Sequence, residues 1–256
     1  MFAKRSLGQN FLTNPAIART IAGAATLTKS DVVLEIGPGK GILTRELVKR
    51  AGRVVAIEKD DALYEGLHSI FADDSARGAL TLYHADALKI EPRELGLQSG
   101  AFKIVANIPY NITGALIRHF LSNNIQPSTM VLLVQKEVAE RILARDGKES
   151  ILSLSVKAYG TPSIKGIVKA GSFTPAPKVD SAILVVDHIS RNHFVNAAHE
   201  ARFFKYVKAG FAQKRKTLLR NFANANLTSD TVLADLPKEV RAEDVTPSQW
   251  IELARH

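Results

Sequence analysis

The stretch VVLEIGPGKG at residues 32–41 joins a short apolar run to a turn that contains three glycines. A continuous apolar run is typical of a buried strand that helices cover on both faces of a sheet. The glycines at positions 37, 39 and 41 permit a tight turn and let a bound molecule approach the backbone closely. Residues 42–49 then show helical spacing. The stretch therefore predicts a strand–turn–helix unit of an open α/β sheet.

The same alternation continues towards the C-terminus. Further strands are predicted at residues 53–57, 80–84, 102–106 and 130–134, with helices at residues 60–71, 113–121 and 136–145. Repeated strand–helix units favour a mostly parallel sheet with right-handed crossovers. Residues 163–169 and 182–187 predict two late strands with no helix between them, which indicates an antiparallel edge on this sheet.

The last part of the chain has a different character. From residue 191 onward only helices are predicted, and residues 191–220 contain eight lysines or arginines against one acid, Glu200. On a helical wheel of residues 203–222 the apolar residues share one face, and the cations lie opposite it or beside it. Gly210 suggests a break in this helical segment. We therefore predict a sheet domain of residues 1–190 and a small, basic, all-helical domain of residues 191–256.

Composition narrows the classes of function. The chain has 256 residues, no cysteine and a formal net charge of +9, and 46% of its residues are hydrophobic. The lack of cysteine excludes disulfides, thiolate zinc ligands and cysteine nucleophiles. There is neither a membrane-spanning apolar run nor a secretory signal, so the cytoplasm is the expected location. The positive charge favours a polyanionic partner, with nucleic acid first and an anionic membrane surface second.

Four of the predicted parallel strands are followed by residues suited to ligand binding. Gly37, Glu58, Asp86 and Asn107 each lie just beyond a carboxyl end, and open α/β sheets bind ligands along that edge. A carboxylate at position 58 can accept hydrogen bonds from ribose hydroxyls, and one at position 86 can accept from an adenine amine. Taken singly, Glu58 could instead be an exposed, ion-paired acid and Asp86 a turn former. Ile42 occupies the third-glycine position of a dinucleotide fingerprint, which argues against a nicotinamide cofactor.

The most specific motif is Asn107-Ile108-Pro109-Tyr110. An exocyclic amine of a base is a poor nucleophile because its lone pair is delocalised into the ring. The side-chain oxygen of Asn107 and the carbonyl of Pro109 can accept its two N–H groups and aim the lone pair, and Tyr110 offers a face for stacking. Phe173, in a loop stiffened by two prolines, is a candidate for the second face of the base, although a core phenylalanine would show the same pattern.

These motifs together resemble the ribosomal RNA small-subunit adenine N6,N6-dimethyltransferases, the KsgA/Dim1 family. The resemblance extends from Lys4 to Ala254 and rests on motifs spread along the chain: LGQNFL at 7–12, the glycine turn at 35–41, Glu58, HADAL at 84–88, the tetrad at 107–110, QKEVAER at 135–141, residues 173–181 and FAQKRKTL at 211–218. Many S-adenosylmethionine-dependent methyltransferases share the glycine turn. The N-terminal motif and the Phe173 motif are much narrower.

The resemblance implies a Rossmann-like class I methyltransferase fold with S-adenosylmethionine as the cofactor. Roles at the acceptor base are implied for Asn107, Pro109, Tyr110 and Phe173. Roles in cofactor binding are implied for Asn10, Leu12, Gly37, Gly39, Glu58, Asp86 and Asn107. The expected reaction is dimethylation of two adjacent adenines near the 3′ end of 16S rRNA, within an immature 30S-type particle. The enzyme is expected to be a monomer that needs neither a metal nor a membrane.

Cations at both ends of the chain are candidates for RNA contacts. The first 30 residues are expected to form a segment that binds cofactor and RNA, and they contain no acid. The candidate RNA-binding residues are Lys4, Arg5, Lys208, Lys214, Arg215 and Lys216. Such cations position RNA through its phosphates without reading its sequence. A solvated, charged helix face would show the same pattern in the C-terminal region.

Two other interpretations stay open. The related Erm type methylates adenine in large-subunit rRNA, although Val179-Asp180-Ser181-Ala182 and the basic 211–218 stretch look more like the small-subunit branch. A non-catalytic RNA-binding assembly factor would keep the same fold. The intact tetrad and Glu58 argue against this second alternative.

Overall fold

The computed structural model describes residues 9–227 and 236–255. Within them, residues up to 139 and residues 161–189 form one compact unit, and residues 140–160 and those from 190 onward form a second. Two predicted RNA-binding residues, Lys4 and Arg5, lie outside the described residues. No helix in the described ranges is both long and apolar enough to cross a membrane.

The first unit contains all the strands of the described chain. The strands are β1 (Phe11–Leu12), β2 (Val32–Ile36), β3 (Arg53–Glu58), β4 (Leu80–His84), β5 (Phe102–Asn107), β6 (Thr129–Gln135), β7 (Thr161–Val168), β8 (Phe173–Thr174) and β9 (Ser181–Asp187). Its helices are α1 (Pro15–Ala24), α2 (Ile42–Arg50), α3 (Asp61–Ile70), α4 (Ala72–Ala76) and α5 (Thr113–Ser122). The remaining helices are α6 (Lys136–Leu143), α7 (Ile151–Lys157), α8 (Ala197–Gly210), α9 (Leu218–Asn224) and α10 (Pro247–Leu253).

Seven strands form one sheet in the order β4-β3-β2-β5-β6-β9-β7. Strands β4, β3, β2, β5 and β6 are parallel, whereas β9 pairs antiparallel with both β6 and β7. The predicted α/β fold, with a mostly parallel sheet and an antiparallel edge, is therefore confirmed. The strand order changes direction between β2 and β5, and open α/β sheets bind ligands at such a switch point.

Burial explains why the central strands appear as continuous apolar runs. Val33 and Leu34 of β2, and Val54 and Val55 of β3, are fully buried although successive side chains of a strand point to opposite faces. Both faces of these strands must therefore be apolar. Glu35, in the middle of β2, is the exception and is also buried.

A short ladder outside the main sheet ties the N-terminal segment to the loop before β9. β1 pairs antiparallel with β8, with Leu12 opposite Phe173. The N–H and the hydroxyl of Thr13 both donate to the Ser172 carbonyl, each at 3.0 Å. Two-residue strands are too short to show periodicity, so the sequence did not predict this ladder.

The second unit shows a break in the basic segment. Residues 203–222 belong to two helices, and α8 ends at Gly210, where the sequence suggested a break. A Cβ on Gly210 would lie 2.4 Å from a ring carbon of Trp250, so the close approach of that ring requires glycine. The compact units assign residues 140–160 to the C-terminal helices. The predicted division into domains of residues 1–190 and 191–256 stays a prediction.

Candidate active site

A cavity of about 210 Å³, here called the edge cavity, opens at the carboxyl ends of β2, β3 and β5. Seven residues predicted from the sequence line it: Asn10, Gly37, Glu58, Asp86, Asn107, Pro109 and Tyr110. Residues expected to hold a cofactor and residues expected to hold an acceptor base therefore face the same space. They come from separate segments of the chain, and the parallel sheet brings those segments to one edge.

The glycine turn after β2 brings main chain to the edge cavity. Gly37, Gly39 and Gly41 have φ angles of +67°, +59° and +76°, in the left-handed region that favours glycine. A Cβ on Gly41 would also lie 2.5 Å from the ring of Phe71. The Gly39 N–H donates to Oε2 of Glu58 at 3.1 Å. The turn is thus held in place by conformation, by packing and by the acid of the next strand.

Glu58 ends β3 and is only 5% exposed. Its Oε1 accepts the N–H groups of Lys59 and Asp60, each at 2.9 Å, and its Oε2 accepts that of Gly39. Burial raises the pKa of Glu58 above its usual value, although these three N–H groups favour the carboxylate. A carboxylate has about four acceptor sites, so one site on Oε2 remains for a ligand hydroxyl.

Asp86 lies just beyond β4 and also lines the edge cavity. Lys59 Nζ donates to its Oδ2 at 2.9 Å, and the Leu88 N–H donates to its Oδ1 at 3.0 Å. Burial alone would raise the pKa of Asp86, but these hydrogen bonds outweigh it and lower the pKa. Asp86 is therefore ionised at neutral pH and keeps lone pairs that can accept an amine N–H.

Asn107, the last residue of β5, has its side-chain orientation set from outside the tetrad. Its Nδ2 donates to the main-chain carbonyl of Asn10 at 3.3 Å. A carbonyl can only accept, so this contact requires the amide nitrogen on the Asn10 side and leaves Oδ1 as an available acceptor. Such an acceptor favours a ligand group with N–H, such as an exocyclic amine, over a carbonyl oxygen.

The rest of the tetrad forms a tight turn. The carbonyl of Pro109 accepts the Ile112 N–H at 3.2 Å and the Thr113 hydroxyl at 3.5 Å. The Ile112 N–H therefore engages one lone pair of this carbonyl within the turn, whereas 3.5 Å is long for a hydroxyl hydrogen bond. Ile108, which the sequence analysis did not select, also lines the edge cavity. It lies one residue closer to Asn107, and its carbonyl is a further candidate acceptor.

Three predicted residues do not line the edge cavity. Gly39 does not line it, but its N–H donates a hydrogen bond to Glu58, which does. Leu12 is buried and lines a separate cavity of about 20 Å³ beside the glycine turn. Phe173 is 3% exposed and packs in the same hydrophobic cluster as Leu12. In this structure Phe173 is a core residue, as the alternative interpretation held, and its role against a base stays a prediction.

Glu35 is a buried acid that the sequence analysis quoted but did not select. It is 1% exposed and lines the smaller cavity, and its Oε2 has no hydrogen-bond partner among the described residues. Burial raises the pKa of Glu35 to about 8, and the neighbouring charge of Glu58 acts in the same direction. Glu35 is therefore largely protonated at neutral pH. An acid inside an otherwise apolar strand was the signal that could have identified it.

The predicted C-terminal cations are exposed in the second unit. Lys214, Arg215 and Lys216 lie in the turn between α8 and α9, here called the basic turn, and Lys208 lies near the end of α8. Within residues 9–227 and 236–255, these four cations form no ion pair, while the acid Glu200 pairs with Arg191 at 2.9 Å. The basic turn therefore presents its charge to solvent, as phosphate contacts require.

A family profile and several curated relatives match nearly the whole chain. The profile of the family described as "Ribosomal RNA adenine dimethylase" matches residues 2–255. A relative from Dehalococcoides mccartyi, named "Ribosomal RNA small subunit methyltransferase A", is 40% identical over 98% of this chain and 87% of its own. A relative of the same name from Enterococcus faecalis is 36% identical over 96% of this chain and 84% of its own.

Two solved structures resemble nearly the whole chain. A dimethyladenosine transferase from Plasmodium falciparum has a TM-score of 0.79 and 28% identity, and the match covers 95% of both chains. The 23S rRNA methyltransferase ErmE has a TM-score of 0.75 and 27% identity, over 96% of this chain and 98% of its own. The chain therefore belongs to the ribosomal RNA adenine dimethylase family and is an S-adenosylmethionine-dependent methyltransferase.

Proposed function

We propose that this enzyme dimethylates N6 of two adjacent adenines near the 3′ end of 16S rRNA, in an immature 30S-type particle in the cytoplasm. The observation that carries the proposal is the hydrogen bond from Asn107 to the Asn10 carbonyl, because it leaves an amide oxygen available for an exocyclic amine. The edge cavity adds two carboxylates suited to a nucleoside cofactor. The shared name of the bacterial relatives supports small-subunit rRNA as the substrate.

The donor set of the edge cavity fits S-adenosylmethionine. Glu58 has an acceptor site left for a ribose hydroxyl, and Asp86 can accept the adenine amine. Gly37 and Asn10, which also line the cavity, present main chain to the ligand. When bound, the cofactor supplies an electrophilic methyl group on its sulfonium sulfur.

The tetrad holds and aims the acceptor amine. Asn107 Oδ1 accepts one N–H of the amine, and a main-chain carbonyl accepts the other. The Pro109 carbonyl was the predicted partner, but it already accepts the Ile112 N–H in the turn, so we assign this role to the carbonyl of Ile108, which lies one residue closer to Asn107 and also lines the edge cavity. Alignment of reacting groups can contribute ~7–11 kcal/mol. No strong base is required, because the amine loses a proton readily once methylation makes it cationic.

The role of Glu58 is tested by the Glu58→Gln variant. The amide keeps the size of the side chain but replaces a carboxylate that accepts three N–H groups. Hydrogen bonds to charged groups contribute about 1.5–3 kcal/mol, so affinity for S-adenosylmethionine should fall roughly 10- to 100-fold in calorimetry. Glu65→Gln, an exposed acid on α3, is the matched control. Equal affinity of Glu58→Gln and wild type would remove Glu58 from the cofactor site.

The basic turn is proposed to bind RNA phosphates, together with Lys208 and with Lys4 and Arg5, which lie outside the described residues. Replacing Lys214, Arg215 and Lys216 together by glutamine should weaken RNA binding. It should also reduce the slope of log affinity against log salt by about 1 for each phosphate that the turn neutralises. Cofactor affinity should not change, because the cofactor residues lie in the other unit. An unchanged salt slope would show that the turn is only a solvated surface, and Lys165→Gln on β7 serves as a control.

The Erm type is the second candidate, because the ErmE structure matches nearly the whole chain. Immature small and large subunits, incubated with the enzyme and labelled S-adenosylmethionine, separate the two candidates. We expect label in small-subunit rRNA and two adjacent dimethyladenines by mass spectrometry. Label confined to the large subunit would replace the proposal with the Erm type. No label in either particle would contradict both candidate substrates.

A further inference from the structure

The hydroxyl of Tyr110 meets a buried serine from a distant strand. Tyr110 lines the edge cavity, and its hydroxyl oxygen lies 2.7 Å from Oγ of Ser181. Ser181 is the first residue of β9 and is 0% exposed. A buried hydroxyl without a partner is costly, and this hydrogen bond satisfies both hydroxyls. The contact therefore joins the tetrad to the antiparallel edge of the sheet.

Strand β5, which ends three residues before Tyr110, and strand β9, which begins with Ser181, lie on opposite sides of β6. Asn107 of β5 lies opposite Leu133 of β6, and Gln135 of β6 lies opposite Ser181 of β9. The side chain of Tyr110 thus reaches past the end of β6 to contact β9. A tyrosine ring is otherwise attached only through its Cβ and can turn about two side-chain bonds. Rotation about Cα–Cβ moves the hydroxyl, so a hydrogen bond at the far end of the ring restricts this rotation and fixes where the ring lies. Rotation about Cβ–Cγ leaves the hydroxyl oxygen in place.

The start of β9 is itself well anchored. Asp180, the residue before Ser181, accepts Lys169 Nζ at 2.8 Å and the Ala170 N–H at 3.1 Å through its side chain. Its main-chain carbonyl accepts the Lys136 N–H at 3.0 Å. Ser181 therefore holds the tyrosine from a point that three hydrogen bonds keep in place.

We propose that Ser181 is a positioning residue, which holds the ring of Tyr110 in the place needed to stack the target adenine beside Asn107. This inference rests on the proposed function, because it takes an exocyclic amine of a base as the acceptor. Burial raises the pKa of the Tyr110 hydroxyl above its ordinary value, so the phenol stays neutral and can donate to Ser181. Ser181 acts only through Tyr110 and contacts no reacting atom.

The first test is a double-mutant cycle of Ser181→Ala, Tyr110→Phe and the double variant. Turnover is measured at saturating RNA and divided by the number of cofactor-binding sites, so that loss of folded protein does not count. Each single change should lower turnover roughly 3- to 10-fold, the size expected for one hydrogen bond. The double variant should be no slower than the slower single variant. The KM for RNA and the affinity for S-adenosylmethionine should stay unchanged.

A buried serine of the second unit provides the structural control. Ser155 is 5% exposed, and its hydroxyl donates to the Ile151 carbonyl at 2.6 Å. Ser155→Ala also removes one buried hydrogen bond but should leave turnover per site unchanged. Additive losses in the cycle would show that Ser181 does not act through Tyr110 and would overturn the proposal. Unchanged turnover in Ser181→Ala would overturn it as well.

The second test does not depend on catalysis. In protein labelled with 3-fluorotyrosine, Tyr110→Phe identifies the fluorine NMR signal of Tyr110 among the five tyrosines of the chain. Ser181→Ala should shift or broaden that signal and leave the signal of Tyr159, in the other unit, unchanged. An unmoved Tyr110 signal would contradict the anchor even if the enzyme methylates rRNA as proposed. A moved signal in an enzyme that methylates no adenine would confirm the anchor, and the proposed function alone would fail.

Discussion

Replacing Asn107 with alanine should lower methyl transfer by about 10²- to 10³-fold, the loss typical of removing one preorganised hydrogen-bonding group from an active site. The variant loses the amide oxygen that the Asn10 carbonyl keeps available as an acceptor. RNA binding should stay unchanged, because phosphate contacts supply most of it. Single-turnover methylation with saturating cofactor, together with filter binding of the same RNA, measures both quantities.

Asn111→Ala is the matched control for this variant. Asn111 lines the same cavity and is exposed, but it lies outside the tetrad, so turnover should stay within about 3-fold of wild type. Wild-type turnover in Asn107→Ala would remove the proposed mechanism. A parallel loss of RNA binding would show that Asn107 supports the fold rather than the reaction.

Replacing Glu35 with glutamine should make the enzyme more stable at pH 8 and make its stability less dependent on pH. Burial raises the pKa of Glu35 from an ordinary value of 4.5 to about 8, so the folded state holds a proton that the unfolded chain releases. The stabilising contribution is complete below about pH 4.5 and is lost as the pH rises towards 8. At about 1.4 kcal/mol per pKa unit, the loss is on the order of several kcal/mol, and glutamine removes it.

Urea unfolding followed by circular dichroism between pH 5 and pH 8 measures this effect. Fluorescence is less suitable, because the single tryptophan, Trp250, lies in the second unit. Glu46→Gln on α2 is the matched control, because hydrogen bonds from Arg50 hold the pKa of Glu46 below its usual value. The stabilising contribution of Glu46 is therefore present above the usual pKa of a glutamate and is lost as the pH falls. The contribution of Glu35 is lost in the opposite direction, as the pH rises. Parallel curves for wild type and Glu35→Gln would contradict the prediction.

Local sequence was sufficient for most of the fold. All seven predicted strands lie within one or two residues of strands β2 to β7 and β9, because burial on both faces of a sheet leaves continuous apolar runs. The same reasoning placed Glu58, Asp86 and Asn107 at one edge, because parallel strands end together. Among the elements it missed, β1, α4 and β8 are five residues long or shorter, too short to show a period, whereas the helices α1 and α7 are longer.

The sequence did not reveal which side chains would be buried or which carbonyls would already be hydrogen-bonded. Phe173 and Tyr110 are both aromatic residues in motifs, yet the first packs in the core and the second lines the edge cavity. The Pro109 carbonyl was selected because it can accept the second N–H of the amine, but the turn that follows already engages it. The burial of a side chain and the hydrogen bonds of a carbonyl depend on residues that are distant in sequence and close in the fold. A single sequence does not reveal which residues these are.

The family, the cofactor class and seven residues of the edge cavity could be inferred from the amino-acid order. Spacing along a chain records which short segments form strands, turns and helices, and the parallel sheet then dictates where their ends meet. Two contacts that orient the tetrad, Asn10 with Asn107 and Tyr110 with Ser181, were decided only by the folded chain. Each contact is a single hydrogen bond between residues more than 70 positions apart. A single hydrogen bond produces no repeating pattern in the sequence, so it cannot be predicted from residue spacing.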